Sequence, residues 1–307
     1  MCIRWPQYTR PEHLIDMAWT TRFRNAINAG LNLIGLELAT TRGKQAETAR
    51  LHALDARGHW SAPRFEAALG PDDPRFLDFL VSVCAPYQRD FMDLPREAGE
   101  GQDGFYIHNP WFGPVDAEVL YSVLRHFHPR IVVEVGSGFS TRLMRTAICD
   151  GKLRTRLCSI DPMPRIEIQH YADEQVLRRV EEIEPSELAH RLAPNDVLFI
   201  DSSHTVTTGG DVPYLFLEVL PRLEPGVLIH VHDIFLPFEY PREWVVDHRW
   251  PWNEQYLVQA MLYGSRMLEV LWPAHYMWMR HRHKVQEVIP SDANRTAPSS
   301  LWLRKLA

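Results

Sequence analysis

Four short apolar runs, each closing on polar residues and separated by helix-length intervals, constrain this 307-residue chain more than any other feature. They are Ile131-Val132-Val133-Glu134-Val135, Leu157-Cys158-Ser159-Ile160-Asp161, Asp196-Val197-Leu198-Phe199-Ile200-Asp201 and Val227-Leu228-Ile229-His230-Val231-His232-Asp233. Their apolar residues run continuously instead of alternating, as in parallel strands buried on both faces. Helical patterns lie between them: Asp116 to Phe127 stopped at Pro129, a start at Ser140-Thr141, part of Ile166–Val180, and Tyr214–Leu223. Val180–Ile183, Met267–Leu271 and Ser300–Leu303 supply three further strands. Strands alternating with helices predict an α/β fold, a doubly wound, seven-stranded Rossmann-like sheet with right-handed crossovers.

Residues 1–100 read as a mainly helical N-terminal extension, with Phe76 to Val83 apolar at helical spacing and Pro86 beyond. The polar, Gly-rich Glu97–Gly104 stretch is the expected boundary, placing the sheet domain at 105–307. Ala26–Ala39 is apolar on most of one helical face and is expected to pack onto its own domain. A lid, a dimer surface and a substrate platform are all consistent with the composition of this extension, which leaves room for a homo-oligomer.

Bulk properties narrow the classes. A net charge of −6 argues against a nucleic-acid partner, because tracking phosphates requires an excess of Lys and Arg. Cys2, Cys84, Cys149 and Cys158 show no Cys-x-x-Cys spacing and fit reduced thiols. Met1–Pro6 lacks the basic-then-apolar pattern of a secretory signal, and no uncharged run approaches the ~20 residues of a membrane span. A cytoplasmic protein with no transmembrane segment is expected.

In a doubly wound sheet, ligands bind outside the carboxyl ends of the strands. Each predicted strand end here carries an acid or a histidine: Glu134 with Gly136 and Gly138, Asp161, Asp201, and His232-Asp233. Glycines at 136 and 138 permit a sharp turn and a close approach to a ligand, while the helix that follows turns its first amides toward the same place. Asp161, roughly twenty residues on, is placed to accept hydrogen bonds from a ribose. A dinucleotide fingerprint needs a third glycine where Thr141 stands, and Glu134 is foreign to it.

Glu134-x-Gly136-x-Gly138 instead resembles motif I of the class I S-adenosylmethionine-dependent methyltransferases. The resemblance implies that Glu134 helps hold the amino-acid end of S-adenosylmethionine, that Gly136, Ser137 and Gly138 line it, and that Asp161 holds its ribose. Ser140 stands where many members carry another glycine, and Ser140 and Asp201 complete the implied cofactor-binding set. Asp201-Ser202-Ser203-His204 and the strand end His232-Asp233 look like a branch with an Asp-x-x-His loop. Many members of that branch methylate small molecules or sugars, and relatives bind a divalent metal through acids at these two strand ends. The implied activity is O-methylation of a small-molecule or sugar hydroxyl. Catalysis would fall to His204, His232 and Asp233, either with His204 or His232 as base, or with Asp201 and Asp233, joined or not by His232, holding an ion such as Mg²⁺. His230, expected on the opposite face from the functional pair, reads as packing. Asn109–Phe112 and Trp252–Tyr256 read as core or as substrate walls. Two alternatives compete: an NAD(P)-dependent Rossmann oxidoreductase, and a non-catalytic cofactor-binding scaffold.

Overall fold

The computed structural model describes residues 23, 25–31, 41–65, 69, 73–99, 103–264, 266–291 and 297–307. The chain divides into two compact units, Met1–Arg57 and Gly58–Ala307. In the first, residues 25–31 are helical and a helix spans Thr41–Ala56, burying Leu51. Met1–Pro6 and the remainder of the expected Ala26–Ala39 helix lie outside the described residues.

The second unit is built on seven strands in the order β3-β2-β1-β4-β5-β7-β6. These are β1 Ile131–Val135, β2 Arg156–Ile160, β3 Glu174–Val176, β4 Val197–Ile200, β5 Leu228–Val231, β6 Leu268–Pro273 and β7 Leu301–Lys305. The first five pair in parallel, and β7 inserts antiparallel between β5 and β6. Strand order reverses between β1 and β4, so the ligand crevice of such a sheet opens above those two strands.

Period-2 geometry sorts the apolar runs onto two cores. Val132, Val197, Phe199 and Leu228 enter one; Ile131, Val133, Leu198, Ile200 and Ile229 enter the other. Helices α1 (Asp116–Phe127) and α2 (Phe139–Asp150) cover the first face through Leu120, Leu124, Leu143 and Ala147. Phe76, Phe79, Leu80 and Val83, placed in the N-terminal extension by the sequence reading, bury in this same core. The compact units divide at 57/58.

Three expectations change. The short third strand lies at Glu174–Val176, pairing Cys158 with Glu174, while Val180–Glu182 forms a 3-10 turn with Val180 buried as an anchor. An edge strand only half buried lacks the apolar run that marks the inner strands. Residues 166–173 form turns closed on the Ile168 carbonyl by the amides of Tyr171 and Ala172, not a helix. Between Pro213 and Pro221 the expected α-helix is wound wider, as a π-helix over Tyr214–Val219, and then tightens into a 3-10 turn at Leu220–Arg222. The sequence reading did not place α3 (Glu254–Gly264) or α4 (Ala274–Val288), the latter kinked at His281.

Candidate active site

The strand ends at the β1/β4 switch point frame a cavity of 840 Å³. Its floor is the turn after β1. Gly136 sits at φ +82°, and a Cβ there would lie 1.9 Å from the Asp201 carbonyl oxygen, so the approach of β1 to β4 admits only glycine. Gly138 differs. A Cβ at this position would meet nothing within 4 Å, and the residue opens onto the cavity.

Glu134 is fully buried and does not line the cavity. The Ser140 hydroxyl donates to its Oε1 (2.6 Å) and the Thr141 hydroxyl to its Oε2 (2.6 Å). The Thr141 oxygen in turn accepts the Gly138 amide at 3.0 Å. A hydroxyl thus replaces the third glycine because it ties the loop to the strand acid. Burial pushes the Glu134 carboxyl up to about 8, against the two hydroxyls that favour its charge. Folded protein therefore keeps a proton that unfolded protein releases near the ordinary carboxylate value, and Glu134 makes stability fall as pH rises between about 4.5 and 8. Glu134→Gln carries no charge, so its Tm relative to wild type is expected to climb from pH 5 to pH 8. A difference that stays flat over that range contradicts this.

Asp161 is bound into the loop: Ser137 donates through its amide (2.9 Å) and hydroxyl (2.8 Å) to Oδ2, and the Met163 amide donates to Oδ1 (2.8 Å). With one donor on Oδ1, that oxygen keeps acceptor capacity toward the cavity it lines.

Across the cavity, β4 and β5 deliver the second group. One nitrogen, oxygen or carboxylate oxygen from each of Asp201, His204 and Asp233 lies within 4.8 Å of the others. His204 sits in a left-handed turn (φ +58°), with its carbonyl accepting the amides of Asn253 and Glu254. Its Nε2 faces Asp201 Oδ1 at 3.3 Å and Asp233 Oδ2 at 3.6 Å, and its Nδ1 meets Glu254 Oε2 at 2.9 Å. Burial works against a charge on this ring, yet Asp201 and Glu254 outweigh it and hold the imidazole well above its ordinary range. Asp201 is set deep in the fold but 32% exposed to the cavity. Burial opposes its ionisation, and the positive fields of His232 and the bonded His204 hold it down at about 2. Asp233 is also left-handed (φ +55°), and its Oδ1 accepts the Ser299 hydroxyl at 3.0 Å. The Ser299 amide is anchored on buried Asp116, so α1 and the lead-in to β7 fix this carboxylate.

His232 lines the cavity, with Nε2 3.8 Å from Asp233 Oδ1 and Nδ1 without a hydrogen-bond partner. His230 is a packing residue, as expected, but it lies on the same sheet face as His232, their rings 5.7 Å apart. It stacks on Phe199 at 3.9 Å and bonds Ser300. Two residues along a strand return to the same face, which is the physical reason.

Aromatic side chains close the remaining wall. Trp252 lies 4.3 Å from the His204 ring, with Trp250 behind it at 4.7 Å, and Trp111 lies under the Arg165 guanidinium at 5.0 Å. All four side chains line the cavity. Sequence reasoning missed the roles of Glu254 and Ser299. Both act from distant segments, and the only local signal was an acid opening an aromatic-led helix.

Residues 133–234 match the family model described as a methyltransferase domain. No curated protein matches the chain. Among solved structures it is similar to the S-adenosylhomocysteine-bound Podospora anserina methyltransferase PaMTH1, at 13% identity over 89% of this chain and 100% of that one, with a TM-score of 0.40. It is also similar to a methyltransferase from Thermobifida fusca described as putative, at 14% identity over 81% and 97% of the two chains, with a TM-score of 0.39. A third is the MycE methyltransferase of the mycinamycin biosynthetic pathway, at 14% identity over 60% and 47%, with a TM-score of 0.31. The matched segment runs from within β1 through β5 and takes in the turn after β1 and the strand ends that frame the cavity. Among the described residues no helix is long and apolar enough to cross a membrane.

Proposed function

We propose that the protein transfers the methyl group of S-adenosylmethionine to a hydroxyl oxygen of a small-molecule acceptor, assisted by a divalent cation. The observation that supports this most directly is the convergence of Asp201, His204 and Asp233 on the cavity floored by the glycine turn. Two carboxylates and an imidazole suit Mg²⁺ or Mn²⁺, with the nitrogen moving preference toward the latter. The donor set also has the outer support such sites need, because Glu254 fixes the proton of His204 on Nδ1 and turns Nε2 to the cluster.

Bound S-adenosylmethionine supplies an electrophilic methyl. The open face of Gly138 would give it room and Asp161 Oδ1 would accept from its ribose, with Ser137 holding Asp161 in place. Glu134 acts from behind, by fixing Ser140 and Thr141 at the head of α2. A cation at the cluster would lower the pKa of an acceptor hydroxyl. His204, with its Nδ1 proton held by Glu254 and Nε2 turned to the cluster, would serve as a ligand and not as the base. His232, beside the cluster, takes the hydroxyl proton. With both bound, these residues would bring nucleophile and methyl together, where most of the rate of such a displacement arises.

The test is methyl transfer from labelled S-adenosylmethionine to hydroxylated small molecules, with chelator and with Mg²⁺ or Mn²⁺ restored. Stabilisation by S-adenosylhomocysteine but not NAD is expected in thermal unfolding. Stabilisation by NAD alone would return the oxidoreductase, and stabilisation by S-adenosylhomocysteine with no methyl transfer would return the cofactor-binding scaffold. The three described cysteines are free, which supports a reducing compartment such as the cytoplasm. Glu254→Ala is expected to weaken Mn²⁺ binding, measured calorimetrically, by about 10–100-fold. Unchanged Mn²⁺ affinity in that variant would show that Glu254 does not orient His204.

A further inference from the structure

The acceptor side of the cavity is walled by indole rings, and their arrangement carries a substrate class. The Trp252 ring lies 4.3 Å from the His204 ring and 4.7 Å from the Trp250 ring, tilted against both. Trp244 braces both, at 5.0 Å and 4.9 Å, and is itself held edge-on by Phe235 at 5.2 Å. Trp250 nevertheless remains 41% exposed and Trp111 58% exposed, both on the cavity. A run of braced aromatic faces thus leads from solvent to the cluster where the hydroxyl would be activated. Braced rings left open to a cavity form a preorganised stacking surface, because they lose no further freedom when a flat ligand lies on them.

Ser203, one of the polar residues on the lining, has little left to offer a polyol. Ser203 spends its amide and hydroxyl on Asp211, at 2.8 and 2.6 Å, and Asp211 also accepts the Val212 amide. A sugar ring needs several hydrogen-bonding partners around its edge, and polar groups already paired to one another cannot provide them without loss.

We infer that the acceptor is a planar aromatic compound bearing a ring hydroxyl, stacked on Trp252 and Trp250 with its hydroxyl toward Asp201, His204 and Asp233. The inference rests on the methyl-transfer reading above. The hydroxyl oxygen forms a bond to the methyl carbon as the carbon–sulfur bond breaks. The sulfur keeps that bond's electron pair as S-adenosylhomocysteine leaves, and the hydroxyl proton passes to His232.

The experiment uses the full chain loaded with S-adenosylhomocysteine and Mg²⁺, and calorimetric titration with 2,3-dihydroxynaphthalene or with methyl α-glucopyranoside. Methylation of each, by mass gain in the presence of S-adenosylmethionine, is the second readout. The aryl probe is expected to bind and be methylated. Trp252→Ala should weaken its binding at least tenfold and Trp250→Ala several-fold, both leaving S-adenosylhomocysteine affinity within about twofold, and Trp252→Phe should restore most of the loss. Tighter binding of the glycoside, or an aryl affinity indifferent to both tryptophans, overturns the aromatic assignment while leaving methyl transfer intact. Failure of the wild-type chain to bind S-adenosylhomocysteine overturns the underlying reading and the inference with it.

Discussion

Gly136→Ala is expected to lower the thermal midpoint by roughly 10 °C, whereas Gly138→Ala, two residues away in the same turn, leaves it unchanged. At position 136 the added Cβ would sit 1.9 Å from the Asp201 carbonyl oxygen in a residue held at φ +82°. The left-handed backbone alone costs about 1–3 kcal/mol for a residue with a Cβ. Forcing β1 and β4 apart in a close-packed sheet adds about as much, and each kcal/mol moves the midpoint of a domain this size by about 2–4 °C. At position 138 the same methyl meets no protein atom. Its effect falls on the ligand: S-adenosylhomocysteine affinity should drop at least tenfold, because the space the methyl takes is the space the turn holds open. The pair thus separates a glycine kept for the fold from a glycine kept for the cofactor. Wild-type S-adenosylhomocysteine affinity in Gly138→Ala would show that the cofactor does not lie against this turn. An unchanged midpoint in Gly136→Ala would show that the two strand ends do not approach so closely.

The inner strands were legible because burial on both faces writes itself directly into composition. The runs at Ile131, Leu157, Val197 and Leu228 fall within a residue or so of the observed strands. Edge strand β3 was not, since Glu174-Gln175-Val176 is held by backbone pairing to β2 and carries no apolar signature. Helices α3 and α4 escaped for a related reason. Their aromatic and polar residues are sorted by distant partners, as when Gln255 caps the Phe235 amide and His275 meets the Pro298 carbonyl. The candidate site divides the same way. Strand-end acids could be placed because the fold dictates where strand ends go. The partners that aim them could not, as Glu254 reaches His204 across fifty residues and Ser299 reaches Asp233 across sixty-six. Glu134 shows a subtler gap: the motif marked the right residue, while the direction of its side chain depends on two hydroxyls that spacing alone does not orient.

Asp201→Asn is expected to reduce kcat/KM for methyl transfer by about a thousandfold, with no recovery on adding Mg²⁺ or Mn²⁺. The substitution keeps the shape of the side chain and removes its charge, so it isolates what the carboxylate does. Asp201 holds its proton off down to about 2, which keeps it a charged oxygen donor across the physiological range. It stands 3.3 Å from His204 Nε2, the position a shared cation would take. Removing the charge should abolish Mn²⁺ binding in calorimetry. S-adenosylhomocysteine affinity should stay within about twofold, since the Asp201 carbonyl that abuts Gly136 is untouched. Asp233→Asn should behave alike, because the Ser299 hydroxyl can still donate to the amide oxygen and preserve the geometry. Retained Mn²⁺ binding with lost S-adenosylhomocysteine binding in Asp201→Asn would assign that carboxylate to the cofactor instead. Wild-type transfer that survives exhaustive chelation would remove the cation altogether, leaving His232 to activate the hydroxyl by taking its proton.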